Sequence, residues 1–532
     1  MSLRLSFHGA AQTVTGSCFR LETRRGQVLV DCGLFQGSKT EKELNYRSLP
    51  FEPKEITAVV LSHAHIDHSG LLPKLTKAGF SGPIYATSAT TDLAGVMLPD
   101  SAYIQEIEVG QLNKRNARRN LKPVEPIYKT ADAMACLERF RPVSYATWFD
   151  VSPDVKARFW NAGHLLGSAS VEVEVRDADG NRPLRLLFSA DIGPNFKLLH
   201  PDPDSPNDLD YVICEGTYGE TDRDDATAKG RRTVLRNEVR AAHNRNGALL
   251  IPSFAVERAQ ELISDLVQLM SEGELPTIPI YVDSPLATKA SRVFAKHAAD
   301  LDAGEDLVRG LNSRNVQFTE TVEESKELDR LRKFHIVIAA SGMCEAGRIR
   351  HRLKNWLWRD EATVLLVGFQ AQGTLGRILQ DGAAAVRIQG EEFKVRARIR
   401  SIDLYSGHAD GPELADWIKK RLPIHHDVFL VHGEMPALYG LQARLHGIVD
   451  AAKIIVPAID ETFELTATGS RLIKPSMPPR IDKEKVAKLD QHNEASRLLL
   501  DINDALSVAA DEKARAIIIR QLQRALNEVA SN

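Results

Sequence analysis

Four side chains of metal-ligand type fall within six residues in Ser62-His63-Ala64-His65-Ile66-Asp67-His68-Ser69-Gly70. The segment follows the apolar run Ile56–Leu61, so it begins where a strand is expected to end. Neutral imidazoles and a carboxylate are the donors zinc takes when no thiolate is offered. Side-chain alternation puts His63 and His65 on one side of an extended loop, and the following turn carries Asp67 and His68 to a second point. One segment can thus address two metal ions a few ångströms apart, the arrangement used for in-line displacement at phosphorus. A lone histidine is more often structural than ligating, but four such residues at this spacing are hard to explain as packing.

The elements around this segment must hold it rigidly. The runs Gln27–Asp31, Ile56–Ser62, Val155–Ala162 and Arg185–Ala190 have strand length and end in turn or polar residues, and Thr90–Arg119 reads as a helix. The proline- and aspartate-rich stretch His200–Asp208 marks a loop and a domain boundary. Beyond it, strands predicted at Tyr211–Cys214, Ala248–Phe254, Pro279–Asp283, His335–Ala340 and Ala362–Phe369 alternate with helices at Val256–Glu272, Leu286–Ala299, Arg348–Trp358 and from Gly373. That alternation predicts a parallel sheet covered on both faces. From Arg396 short strands return, at Ser401–Tyr405, Val428–His432 and Ile454–Pro457, separated by helices at Pro412–Arg421 and Pro436–His446. After Ser476-Met-Pro-Pro479, Leu498, Ile502, Leu506 and Ile518, Leu522, Leu526 recur at i, i+4, i+8, which predicts a helical tail suited to docking or to forming a homodimer.

The pattern His63-x-His65-x-Asp67-His68 resembles the signature of the metallo-β-lactamase superfamily. Asp31 in Val-Leu-Val-Asp-Cys-Gly, His164 in Asn-Ala-Gly-His-Leu-Leu-Gly-Ser-Ala and Asp191 in Phe-Ser-Ala-Asp-Ile-Gly resemble its remaining motifs, in order. The second half resembles the β-CASP branch, nucleases of RNA 3′-end processing and DNA repair. Cys214-Glu215-Gly-Thr-Tyr-Gly219, Leu404-Tyr-Ser-Gly-His408-Ala-Asp410 and Leu430-Val-His432-Gly-Glu434 are similar to its motifs A, B and C. The resemblance implies an α/β fold: a metallo-β-lactamase αββα sandwich, an inserted β-CASP α/β domain of mainly parallel sheet, and the helical tail. Its implied domains are residues 1–207 and 396–470 for the sandwich, 208–395 for the insert and 471–532 for the tail. It implies two Zn2+, one held by His63, His65 and His164, the other by Asp67 and His68 with His432 as a closing ligand. Asp191 would bridge them and Asp31 would orient a ligand from behind. Glu215 and His408 would be catalytic together with Asp67, His408 being the acid that protonates the leaving oxygen and Glu215 its orienting partner. Ser341, Arg348 and His351, from a further stretch similar to the family, would contact backbone phosphates. Two residues depart from the pattern: Gly216 replaces a serine, and Glu257 stands before Arg258 where the family more often has glycine.

Composition bounds the rest. Hydrophobic residues make up 43% and charged residues 26%, ordinary for a globular chain. No apolar run approaches the ~20 residues needed to cross a bilayer, and the first residues, MSLRLSFHGA, carry no long apolar core of a secretory signal. A cytoplasmic location, with no membrane partner, is the default expectation. The five cysteines are scattered and without CxxC spacing, which argues against a disulfide framework or a thiolate zinc site. A net charge of −3 does not exclude nucleic acid, because a local basic patch suffices, and Lys114–Arg119 and Arg396–Arg400 are candidates. By resemblance His432 favours single-stranded RNA, cut endonucleolytically or from the 5′ end to leave 3′-hydroxyl and 5′-phosphate termini. A DNA exonuclease, a non-catalytic scaffold subunit, and a lactonase or thioesterase are the competing readings.

Overall fold

The computed structural model describes residues 3–473, apart from residues 38, 119, 177–181, 196, 224–226, 369 and 371–372, together with Arg480 and residues 515, 516, 519–521 and 523. Three large sheets organise them. The first runs Gly469–Ile473, Thr462–Thr466, Leu3–Phe7, Phe19–Glu22, Gln27–Val30, Ile56–Val60, Ile84–Ala86, Phe140–Pro142. The second runs Ile454–Ile455, Val428–Val431, Tyr211–Glu215, Leu184–Phe188, Ala169–Val175, Val155–Asn161, Phe149–Ser152. Their facing sides close one apolar core in which Phe7, Phe19, Phe188, Phe429 and Phe463 meet, with Phe7 and Phe429 centroids 5.2 Å apart. Each such buried ring contributes about 2 kcal/mol of apolar transfer.

Helices cover both outer faces. Leu72, Leu75, Leu93 and Leu98, from helices Leu72–Lys77 and Ser88–Arg118, pack on Leu29, Val59 and Leu61. Leu414, Trp417, Leu438 and Leu441, from helices Gly411–Lys419 and Met435–Arg444, pack on Val212, Cys214 and Leu430. The result is the expected αββα sandwich.

The third sheet, Val316–Phe318, Ile280–Val282, His335–Ala339, Ala248–Pro252, Thr363–Leu366, Arg398–Ser401, is parallel at every pairing. One face carries Leu249, Ile251, Ile336 and Ile338 against Leu235, Leu262 and Leu266. The other carries Leu250, Val337 and Val364 against Leu353, Trp356 and Leu379. Apolar residues on both faces explain why these strands read as continuous apolar runs rather than alternating ones.

The sheets draw the seams differently from the sequence boundaries. Tyr211–Glu215 hydrogen-bonds between Leu184–Phe188 and Val428–Val431, so it belongs to the sandwich and not to an insert beginning at 208. Arg398–Ser401 pairs with Thr363–Leu366, so the insert runs past 395. The strand expected at Ser401–Tyr405 thus lies earlier, and Tyr405 is buried in a loop, its hydroxyl donating to Asp265 Oδ2 at 2.8 Å. The basic run at Arg396–Arg400 is largely paired: Arg400 forks onto Glu238 and Arg398 lies 3.6 Å from the same carboxylate. The five cysteines are buried and free. Most of the expected helical tail lies outside the described residues, and no described helix is long and apolar enough to cross a membrane. Insert and sandwich share packed surface, since Ala290, Phe294 and Val256 join the cluster of Leu93 and Leu98, and Lys296 and His297 both reach Asp92 at 2.6 Å.

Candidate metal centre

The ligand-type residues sit where strands of the sandwich end. Ile56–Val60 delivers His63, His65, Asp67 and His68; the turn between Val155–Asn161 and Ala169–Val175 delivers His164; Leu184–Phe188 delivers Asp191; Val428–Val431 delivers His432. Backbone bonds clamp the first loop: Ser17 N–H donates to the Asp67 carbonyl at 2.8 Å, Cys32 N–H to that of His68 at 2.8 Å, and Leu34 N–H to that of Ile66 at 2.9 Å. Gly33 is dictated by this approach, since a Cβ there would lie 1.6 Å from the Asp67 carbonyl oxygen. Gly193 is dictated likewise, for a Cβ there would lie 1.9 Å from the Gly163 oxygen and would part the Asp191 and His164 loops.

Two donor groups result. His63, His65, His164 and Asp191 bring one ligand atom each to within 4.8 Å of one another, as do Asp67, His68 and His432. In the first group His63 Nε2 and His164 Nε2 each lie 3.1 Å from His65 Nδ1 and 3.5 Å from Asp191 Oδ2. In the second, His68 Nε2 is 3.2 Å from His432 Nε2, and these two nitrogens lie 3.2 and 3.6 Å from Asp191 Oδ1. Asp67 Oδ2 is 3.7 Å from His432 Nε2. Each oxygen of Asp191 therefore faces a different group. Tetrahedral donors 2.0–2.1 Å from zinc lie about 3.3 Å from one another, so both groups have zinc-sized spacing.

The outer nitrogens fix where the imidazole protons reside. Asp31 Oδ2 accepts from His68 Nδ1 at 2.7 Å and from the Ser62 hydroxyl at 2.9 Å. With its proton so engaged, Ser62 accepts from His63 Nδ1 at 3.1 Å. His164 Nδ1 donates to the Gly407 carbonyl at 2.6 Å. Thr217 donates to Glu215 Oε2 at 2.5 Å and so accepts from His432 Nδ1 at 3.1 Å. The outer nitrogens of four imidazoles are thereby engaged and their Nε2 atoms turned inward, the orientation that ligation requires once any proton there is displaced. Burial, with the neighbouring imidazoles, pushes His63 and His164 well below the ordinary histidine value, and burial takes His65 to about 4, so all three are neutral donors. Burial also pulls His68 down, but the Asp191 and Asp31 carboxylates outweigh it and hold that ring well above its ordinary value. Asp191 Oδ1, buried, meets the Nε2 edges of His68 and His432 at 3.2 and 3.6 Å. A buried carboxylate ringed by inward-turned imidazoles, three of them neutral, calls for a cation, and the donor set fits zinc.

His408 stands at the edge of this centre. Its Nδ1 lies 3.2 and 3.3 Å from the two Glu215 oxygens, while Nε2 is 3.9 Å from Asp191 Oδ2. Glu215 is held by Ile192 N–H at 2.6 Å and by Thr217. The other three predicted residues lie in the insert. Arg348 is already engaged there, donating to Asp283 Oδ1 at 3.0 Å, the Thr319 carbonyl at 3.1 Å and the Glu320 carbonyl at 2.9 Å, so it braces the insert rather than offering a free phosphate donor. Ser341 Oγ accepts from Ala346 N–H at 3.2 Å within its own turn, and His351 is exposed on helix Ile349–Trp356. Ser62, Thr217 and the Gly407 carbonyl, which set the tautomers, were not singled out from sequence. Each adjoins a motif residue, the one signal that could have marked them.

Comparison with known proteins agrees with this geometry. Residues 12–225 match the metallo-beta-lactamase superfamily, residues 259–379 the Beta-Casp domain, and residues 392–457 the Zn-dependent metallo-hydrolase RNA specificity domain. Ribonuclease TTHA0252 of Thermus thermophilus is 36% identical over 448 residues, covering 82% of this chain and 95% of that protein. An RNase J-like protein of Methanocaldococcus jannaschii is 30% identical, covering 81% and 92%. Transcription termination factor FttA of Methanosarcina mazei is 29% identical, covering 84% and 69%. With relatives of that identity matched over nearly their whole length, the chain belongs to the β-CASP branch of the metallo-β-lactamase superfamily and is a hydrolase of that family.

Proposed function

We propose that this chain is a zinc-dependent ribonuclease that hydrolyses phosphodiester bonds of single-stranded RNA, endonucleolytically or from the 5′ end, leaving 3′-hydroxyl and 5′-phosphate termini. The observation that carries the reading is Asp191, whose two oxygens face separate donor groups while His408 Nε2 lies at the rim. When bound, two zinc ions would acidify water and neutralise charge on the phosphate oxygens. His63, His65 and His164 would hold one and Asp67, His68 and His432 the other, with Asp191 between them.

The chain's own groups do the remaining work. Asp67, with its side chain 21% exposed, orients the attacking water. His408 Nε2 hands a proton to the leaving 3′ oxygen, and Glu215 fixes the ring through Nδ1 so that Nε2 faces the reaction. RNA as the substrate is supported by the names of the relatives and by the histidine at position 432. Single-stranded RNA would reach the centre between insert and sandwich, and the exposed His351 would contact its phosphates.

The test is cleavage of single-stranded RNA labelled at either end, beside DNA of the same sequence, by wild type and Asp67→Ala. Zinc-dependent cleavage of RNA alone, lost in the variant, supports the reading. Preferential cleavage of DNA, or cleavage that Asp67→Ala retains, overturns it.

A further inference from the structure

Glu257 occupies a backbone conformation that side chains avoid. It sits at φ 71°, ψ −65°, and Arg258 N–H donates to the Val256 carbonyl at 3.0 Å across it. That is a γ-turn, rare and strained for any residue with a Cβ. Glycine would take the turn freely. A glutamate here is also costly in a second way, because the residue is only 4% exposed.

Its carboxylate explains why the position tolerates both penalties. Glu257 Oε1 lies 2.8 Å from His200 Nε2 and 3.1 Å from Lys197 Nζ. Lys197 and His200 belong to the sandwich, in the segment between Leu184–Phe188 and Tyr211–Glu215, whereas Glu257 opens the insert's helix Arg258–Ser271. Lys197 is itself buried, its side chain 2% exposed, and its ammonium donates to the carbonyl of His164. A path of direct contacts thus runs from the insert, through Glu257 and Lys197, to the backbone of a residue in the first donor group.

We infer that Glu257 is a positioning residue: it anchors Lys197, which holds the His164 turn in ligating register and ties the seating of the insert to the integrity of the first metal site. The strained turn carries the carboxylate across the seam to Lys197, whose ammonium grips the His164 carbonyl. Without Glu257, Lys197 would be a buried ammonium that has lost the carboxylate it touches and keeps only the more distant Glu261, and it would withdraw from the carbonyl. The inference rests on the two-metal reading above.

The experiment uses the full chain with Glu257→Gln, Lys197→Met and the double variant. Glu257→Gln keeps the shape and removes the charge; Glu257→Gly, which relaxes the turn, replaces it should the glutamine variant fail to fold. Zinc retention is read by competition with a chelator, ligand geometry by the visible spectrum after cobalt(II) substitution, and turnover by kcat and KM on RNA. Each single variant is expected to weaken retention of one of two zinc ions about tenfold or more, to move the cobalt spectrum, and to lower kcat with KM nearly unchanged. The double variant should be no worse than Lys197→Met alone. Retention and spectrum like wild type in both single variants, effects that multiply in the double variant, or a change confined to KM would each overturn the inference. Wild type that binds no zinc would instead overturn the metal reading itself, and this inference with it.

Discussion

Replacing His408 by alanine separates the acid from the metal ligands. His408 belongs to neither of the two groups that face Asp191, and its Nε2 is 3.9 Å from Asp191 Oδ2. Its Nδ1 is occupied by Glu215 at 3.2 Å. Removing the ring therefore leaves all seven inward-facing donors in place, and two zinc ions should still bind. What is lost is proton delivery to the leaving oxygen, typically worth about 10²–10⁴-fold, or about 3–5 kcal/mol of barrier. Single-turnover cleavage of end-labelled RNA by His408→Ala should fall by that factor, with the metal content of the same preparation unchanged. A substrate carrying sulfur in place of the 3′ bridging oxygen needs no proton to depart, so its cleavage should fall far less. Equal losses on the oxygen and sulfur substrates would refute the assignment of His408 as the acid. Loss of zinc from the variant would show that His408 is a ligand instead.

Asp31→Ala removes the acceptor that fixes His68 Nδ1 and the Ser62 hydroxyl, so zinc affinity, measured by chelator competition, should weaken about 10–100-fold while the fold persists. Zinc binding to the metal-free protein should release protons, measurable by calorimetry in buffers of different ionisation enthalpy. The reason is that His68 and His432, against the pull of burial, are held above the ordinary histidine value by carboxylates including Asp191, so zinc must displace their protons and affinity falls as pH is lowered through and below that range. Burial pushes Glu257 up, but His200 and Lys197 outweigh it and hold it at about 2. A depressed carboxylate stabilises the fold above its unfolded value near 4.5 and ceases to do so as pH falls toward 2, so acid unfolding of wild type should show up to about 3 kcal/mol of pH-dependent loss in that window that Glu257→Gln lacks.

The parts of this site legible from sequence were those that are local. His63, His65, Asp67 and His68 announce themselves because one strand end places them together. His164, Asp191 and His432 do not, since each is a single residue after its own strand and only the family's motif order picks it out. The engagement of Arg348 is hidden in the sequence for a related reason. Its partners, Asp283 and Thr319, are distant in sequence, and an arginine near a Gly-rich turn looks the same whether it meets phosphate or a buried carboxylate. Glu257 was visible as an odd residue, but its positive φ and its partners across the seam exist only in three dimensions. The strand alternation of the insert was legible because burial on both faces writes itself as apolar runs. The domain seams were not, because Tyr211–Glu215 and Arg398–Ser401 are assigned by what they pair with rather than by composition.

A two-metal centre that hydrolyses RNA is tested most simply by titrating zinc into metal-free protein while cleavage of a labelled single-stranded RNA is followed. Two tight equivalents are expected, with cleavage appearing only as the second is taken up and ending on chelation. Cleavage that proceeds without metal, or a protein that fills two sites and leaves RNA intact, would contradict it.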